Sequence, residues 1–127
     1  MQYPASSVGR DIELTYQHSG ESRMDHLAYI AGKFERAIKE LVGPEPLQDR
    51  LAAANIWLHA IRLEDFRSTR LRGQYQNIRD RLAQPGHTYE DTLAVMTDEE
   101  AAEITSLIVD LYFEIEQERL SEAINSN

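Results

Sequence analysis

Apolar residues recur at intervals of three and four along most of this 127-residue chain, the spacing that places them on one side of an α-helix. Three segments carry such a stripe: residues 22–42, 47–83 and 97–123. The connection over 43–46 is short, which favours helices that lie side by side and run in opposite directions. The sequence therefore predicts an all-α fold, an antiparallel helical bundle of three main helices.

Local signals mark where these helices begin and end. Ser22 is placed to cap the first helix, with Asp25 three residues on. Gly43–Pro46 ends it, because Gly43 can take the left-handed conformation that closes a helix and the two prolines cannot extend the hydrogen-bond ladder. Thr97 and Glu100 have the spacing of a capping box, which predicts the start of the last helix.

The middle segment, 47–83, is too long for a compact chain of this size. A continuous helix over it would measure about 55 Å, whereas a folded chain of this length is only about 36 Å across. One interpretation is a helix bent or split near 64–70, where the stripe turns polar at Glu64 and Ser68 and Ser68 caps a new segment. The other is an intact helix whose overhang is covered by a second copy, and we prefer this homodimer by a small margin.

The beginning of the chain follows no helical period. Residues 1–21 contain Pro4 and two glycines and only a short apolar alternation, so we expect an extended or mobile arm before a single α-helical domain over 22–127. The longest apolar runs are four residues, against the roughly 20 needed to cross a bilayer. With no secretory signal pattern at the start, we expect a cytoplasmic protein without membrane contact. Eleven arginines against two lysines favour a GC-rich genome, hence a bacterium or phage.

The composition excludes several chemistries. The chain has no cysteine, so it has no disulfide, thiolate zinc site or cysteine nucleophile. No glycine-rich phosphate loop and no Gly-x-Ser-x-Gly motif occurs, and no two histidines have the spacing of a helical metal site. We therefore expect a non-enzymatic protein with no cofactor.

Charge is unevenly distributed within the net −9. Residues 62–82 hold six arginines against three acids, whereas residues 83–127 hold eleven acids and one arginine. The simplest interpretation is that the two segments pack side by side and neutralise each other. The alternative is a site for an anion or a protein partner, built from Arg62, Arg67, Arg70, Arg72, Tyr75 and Trp57. Direct binding to duplex nucleic acid is disfavoured, because an acidic chain repels phosphates.

Acidic residues suggest two further possibilities. Glu64 with Ser68 interrupts an apolar stripe, so a buried Glu64 carboxylate would fix helix register, mark a break or line a small polar pocket. Asp110, Glu114 and Glu118 follow each other at intervals of four and form a possible metal site. The acidic last helix is also a possible mimic of nucleic acid.

The function favoured by the sequence is a small helical interaction or regulatory protein. It would bind a macromolecular partner, either another protein or a second copy of itself, through a charge-segregated helical surface. The alternative from another class is a metal- or small-ligand-binding bundle or an enzyme, with a site built from Glu64 and the acidic last helix. The nucleic-acid mimic is a third.

Overall fold

A computed structural model describes residues 19–83 and 88–125, with side chains from His26 onward. This part of the chain folds into five α-helices and one 3-10 turn and contains no strand, so the predicted all-α class is confirmed. The helices are α1 (Ser19–Leu41), α2 (Leu47–Leu58), α3 (Thr69–Leu82), α4 (Tyr89–Ala94) and α5 (Asp98–Asn125), and the 3-10 turn is Leu63–Asp65. The predicted arm lies outside the described residues, except for 19–21.

Helix α1 begins earlier and ends differently from the prediction. It starts at Ser19, so the predicted cap Ser22 lies inside the helix and the expected start there is wrong. At the other end Gly43 does not take the left-handed conformation. Instead the guanidinium of Arg50 donates to the carbonyl oxygens of Leu41 at 2.8 Å and Glu45 at 2.6 Å. A cation from α2 thus satisfies the end of α1, where the helix dipole favours positive charge.

The middle segment is split. Helix α2 ends at Leu58, and α3 begins at Thr69 after the 3-10 turn. The interpretation with a continuous helix over 47–83 is therefore wrong, and the break is confirmed. Ser68 caps α3 as predicted, since its Oγ accepts a hydrogen bond from the Leu71 N–H at 3.2 Å. The split shortens the two pieces to about 18 and 21 Å, lengths that fit a compact chain.

Helix α4 lies between the predicted helices over 47–83 and 97–123, where the sequence predicted no helix. Thr88 caps α4 by accepting from the Asp91 N–H at 3.1 Å. Leu93 and Met96 are buried, whereas Val95 is exposed. A helix of six residues is too short to show a periodic pattern.

Helix α5 starts where the sequence predicted. The Thr97 N–H donates to the Glu100 carboxylate at 2.9 Å and the Glu100 N–H donates to Thr97 Oγ1 at 3.1 Å, which completes the capping box. The helix contacts α1, α2 and α3, as its wide apolar stripe requires. None of the helices in the described ranges has the length and apolar character of a membrane span.

One cluster of buried side chains joins all five helices. Leu71, Tyr75, Ile78 and Leu82 of α3 are buried at the predicted spacing. Phe66, in the connection between α2 and α3, is also buried, although it lies off the predicted stripe. The change of helical phase at the break is what brings Phe66 inward.

Candidate interaction site

Several arginines of the predicted patch form ion pairs or hydrogen bonds within the chain. Arg70 on α3 forms an ion pair with Glu114 on α5. The Arg72 guanidinium donates to the carbonyl oxygen of Phe66 at 2.6 and 3.2 Å. A second ion pair joins Arg81 to Glu103 at 3.1 Å. The basic middle and the acidic last helix therefore neutralise each other along α3 and α5, as the simplest interpretation of the charge pattern predicted.

Arg70 is exposed but already paired with Glu114, which leaves the exposed Arg62 and Arg67 as the candidates for an anion site. The Arg62 guanidinium lies 3.7 Å from the Glu64 carboxylate, and both side chains are mostly in solvent. An exposed pair of this kind contributes little to stability. An anion site at these two arginines stays a prediction, built on fewer residues than the sequence suggested.

Glu64 is not the buried carboxylate that the sequence led us to expect, because its side chain is 68 % exposed. The break in the helix turns it outward. Its neighbour Asp65 takes the inward position, accepting a hydrogen bond from the Arg62 N–H at 2.8 Å and lying 3.4 Å from His26 Nε2. The small cavity beside Asp65 and Ser68 measures about 10 Å³, room for one water molecule only.

Tyr75 is a core residue and not part of a surface patch. It is 1 % exposed, and its hydroxyl lies 2.6 Å from the carbonyl oxygens of both Leu58 and Ile61. Burial raises the pKa of the Tyr75 phenol far above its ordinary value, an effect that the nearby Arg79 partly opposes. The phenol is therefore a neutral donor that joins α3 to the end of α2.

Trp57 is held by α1. Its indole N–H donates to the Glu40 carboxylate at 3.3 Å, and the side chains of Lys33 and Arg36 lie over its ring at 5.5 and 4.9 Å. These contacts are of the cation–π type and fix the packing of α2 on α1. A partner contact at Trp57 stays a prediction.

The carboxylates of α5 do not converge. Glu114 is engaged by Arg70 and by the amide of Gln74, which donates at 3.1 Å. Asp110 is exposed, and Glu118 lines the small cavity on the side of α1. Within residues 26–83 and 88–125, no three His, Asp or Glu side chains come together as a metal site would require. The geometry therefore gives no support to the metal-binding alternative.

A groove that the sequence did not reveal lies between α2 and α4, with a volume of about 340 Å³. We call it the α2–α4 groove. Its apolar lining comes from Ala52, Ile56, Leu93 and Ala94, its polar lining from Gln48, Asn55 and Tyr89, and its carboxylates from Asp49 and Glu90. Ile56 is 72 % exposed although it is a large apolar side chain. A groove of this size can accept side chains of a partner.

The groove is braced by contacts between α2 and the segment around α4. The Gln48 amide donates to the carbonyl oxygen of Met96 at 3.0 Å and to the Asp98 carboxylate at 2.9 Å. Farther along, the rings of His59 and Tyr89 meet edge to face with centroids 5.6 Å apart. These contacts hold α4 beside α2, so the groove is formed before any partner binds.

The sequence contains two signals for the groove, but they lie far apart in the chain and neither indicates a groove alone. Ile56 lies off the apolar stripe of α2, and a large apolar residue off the stripe is the signal that could have marked this surface. Thr88 followed by Asp91 has the spacing of a helix cap.

Comparison with protein-family models, with curated proteins and with solved structures gives no significant match.

Proposed function

We propose that this chain is a small non-enzymatic interaction protein that binds a basic, amphipathic segment of a partner protein in the α2–α4 groove. The observation that carries the proposal is the groove itself, an apolar surface with Ile56 largely in solvent and a carboxylate on each of its two helices. A cytoplasmic location is part of the same proposal.

Charge supports a basic partner. Arg70 and Arg81 of α3 are paired with carboxylates of α5. They therefore do not neutralise Asp49 on α2 or Glu90 on α4, both of which are exposed. The chain as a whole carries −9, which attracts a cationic segment over a distance and repels an anionic one. We therefore favour the acidic groove over the arginine patch as the contact surface, because Arg70 and Arg72 of the patch already form contacts within the chain.

The apolar part of the groove sets the second requirement. A helix that places apolar residues at intervals of three and four can insert them between α2 and α4, with Lys or Arg on its flanks near Asp49 and Glu90. Burying Ile56 removes a large apolar side chain from water, which favours binding. We therefore expect a partner segment with both features.

The test is selection of binding peptides from a random displayed library, followed by affinity measurement with the best synthetic peptide. We expect the selected sequences to combine apolar residues at helical spacing with Lys or Arg. Ile56→Glu should weaken the best peptide by at least about tenfold, because it places a charge in the apolar contact. Leu120→Glu, the same change at an exposed apolar residue on α5, should leave the affinity unchanged.

Charge reversal separates the electrostatic part. Asp49→Lys should reduce the association rate several-fold, whereas Asp110→Lys makes the same change in net charge on α5 and should have little effect. Raising the salt concentration from about 0.05 to about 0.5 M should also weaken binding. Failure to select any peptide, or equal binding to wild type and Ile56→Glu, would refute the proposed function.

A further inference from the structure

The outward side of α5 carries an unbroken stripe without charge, which we call the outer stripe. Its residues are Ala102, Ser106, Val109, Phe113, Gln117, Leu120 and Ile124. At about 100° per residue they lie on the side of the helix opposite the buried Ile108 and Ile115. All but the half-buried Val109 are exposed, and Phe113, Leu120 and Ile124 are 60, 63 and 63 % exposed. Such an apolar surface on one helix is typical of a contact with another helix.

The outer stripe is symmetric in its spacing about Phe113. Ala102 and Ile124 lie eleven residues before and after it. Ser106 and Leu120 lie seven residues away, and Val109 and Gln117 lie four. The half before Phe113 consists of small or branched side chains, and the half after it of longer ones. A helix with this pattern matches a copy of itself that runs in the opposite direction.

We propose that two copies of this chain associate through the outer stripe, with the two α5 helices antiparallel and a two-fold axis at Phe113. In this arrangement Ala102 faces Ile124 of the second copy, and Ser106 faces its Leu120. Each long apolar side chain then meets a short one, which allows the helices to interdigitate. A parallel pair would place Ala102 against Ala102 and Ile124 against Ile124, leaving a gap at one end and crowding at the other.

The flanks of the outer stripe explain why a second copy fits better than a highly charged partner. Glu103 and Glu114 border the stripe on the side of α3, and both are already paired, with Arg81 and Arg70. On the other border Glu116 accepts from Arg119 at 3.0 and 3.1 Å. These carboxylates have their counter-charges within the chain, whereas Asp110, which also borders the stripe on the side of α3, is exposed to solvent. A second copy therefore associates by apolar burial against the repulsion between acidic helices and not through a cationic contact.

The first test is the mass in solution, measured by light scattering over a range of concentrations. We expect the wild type to rise from 14.6 kDa toward twice that value. Leu120→Glu should remain at the monomer mass over the same range, because a pair would bury two carboxylates against apolar surface. Ile56→Glu, the same change on α2, should dimerise like the wild type, and circular dichroism should show unchanged helicity in both. A wild type that stays monomeric at the highest concentration overturns the proposal, as does a Leu120→Glu variant that dimerises normally.

The second test fixes the orientation. Because the chain has no cysteine, single cysteines report contacts directly. Phe113→Cys should form a disulfide-linked dimer alone, and Ala102→Cys should link only when mixed with Ile124→Cys. The two end positions are about 33 Å apart along the helix, far beyond the roughly 7 Å that a disulfide spans. Efficient links in Ala102→Cys alone would show a parallel pair and contradict the antiparallel arrangement.

Salt dependence separates this association from peptide binding in the α2–α4 groove. Each copy carries −9, so added salt should screen the repulsion between copies and strengthen dimerisation. Binding of a basic peptide should weaken under the same change. The two surfaces use different helices, so Ile56→Glu should weaken peptide binding and leave dimerisation unchanged, and Leu120→Glu should do the reverse. Dimerisation that weakens as salt is added would contradict a contact built on apolar burial.

Discussion

The connections before and after α2 are built in different ways. The connection over 42–46 contains one glycine and two prolines, residues that end helices wherever they stand. The connection over 59–68 contains neither, and in the sequence the spacing of three and four continues through it. It is held by side chains of α3: the Tyr75 hydroxyl at two carbonyl oxygens and the Arg72 guanidinium at a third. A chain can therefore end a helix by local residues or by contacts from elsewhere in the fold. The second kind left only a weak signal in the sequence, the polar Glu64 and Ser68 within an apolar stripe.

Among the variants that test this difference between the two connections, Tyr75→Phe should have the largest effect on the free energy of unfolding. The hydroxyl joins α3 to Leu58 and Ile61, which are 17 and 14 residues away. Removing it leaves buried carbonyl oxygens without this donor, so we expect a loss of about 2 kcal/mol in the free energy of unfolding. Urea denaturation measures this loss, and Tyr29→Phe, at a partly exposed tyrosine of α1, is the control. A loss no larger than that of the control would show that the second connection does not depend on the hydroxyl.

The same hydroxyl should give the wild type a distinctive pH dependence. The pKa of the folded Tyr75 phenol is raised by burial, so above the ordinary tyrosine pKa of about 10 the unfolded chain releases this proton while the folded chain keeps it. The contribution of the Tyr75 hydroxyl to the free energy of unfolding is therefore fully present below about pH 10 and is lost as the pH rises further. We expect the stability difference between wild type and Tyr75→Phe to shrink above that pH. An unchanged difference would contradict the raised pKa.

The same contrast explains which parts of the fold the sequence could predict. The Thr97 capping box and the stripe of α3 depend on residues within a few positions of each other, and both are confirmed. The exposure of Glu64 follows from the break in the helix, and the expectation of a buried carboxylate there was wrong. Phe66 offered a signal, since a large aromatic residue outside the stripe needs a change of phase to be buried.

The two candidate interaction surfaces also differ in whether neighbouring residues or distant parts of the chain form them. The α2–α4 groove is formed by two helices, one of them only six residues long, so no single stretch of sequence contains it. The outer stripe lies on one helix, and its spacing is present in the sequence, although its exposure is known only from the packing of the opposite side. The arginine patch was overestimated because charge alone does not tell whether an arginine pairs within the chain.

Ser68→Ala should have an intermediate effect. The Ser68 hydroxyl caps α3 by accepting from the Leu71 N–H, so its loss should cost about 1 kcal/mol. It is a local signal inside a connection that is otherwise held by distant contacts, and the Tyr75 hydroxyl is still in place in the variant. Ser121→Ala, at an exposed serine of α5, should change stability by less than about 0.5 kcal/mol. If the two variants are equally stable, the Ser68 cap contributes nothing and the connection depends on α3 contacts alone.

The smallest effect is expected for Gly43→Ala in the first connection. A left-handed glycine would lose about 1 kcal/mol or more on this change, but Gly43 lies outside the left-handed region. An added Cβ would lie 2.7 Å from the Glu45 carboxylate, the far end of a flexible side chain that can rotate away. Alanine also restricts the unfolded chain, which favours folding by a few tenths of a kcal/mol. We therefore expect a change within about 0.5 kcal/mol of wild type, measured by urea denaturation, and no further change when Glu45→Ala removes the contact.

A loss above about 1 kcal/mol in both backgrounds would mean that the first connection does require glycine at this position. In that case Arg50, with its hydrogen bonds to Leu41 and Glu45, would not be what ends α1.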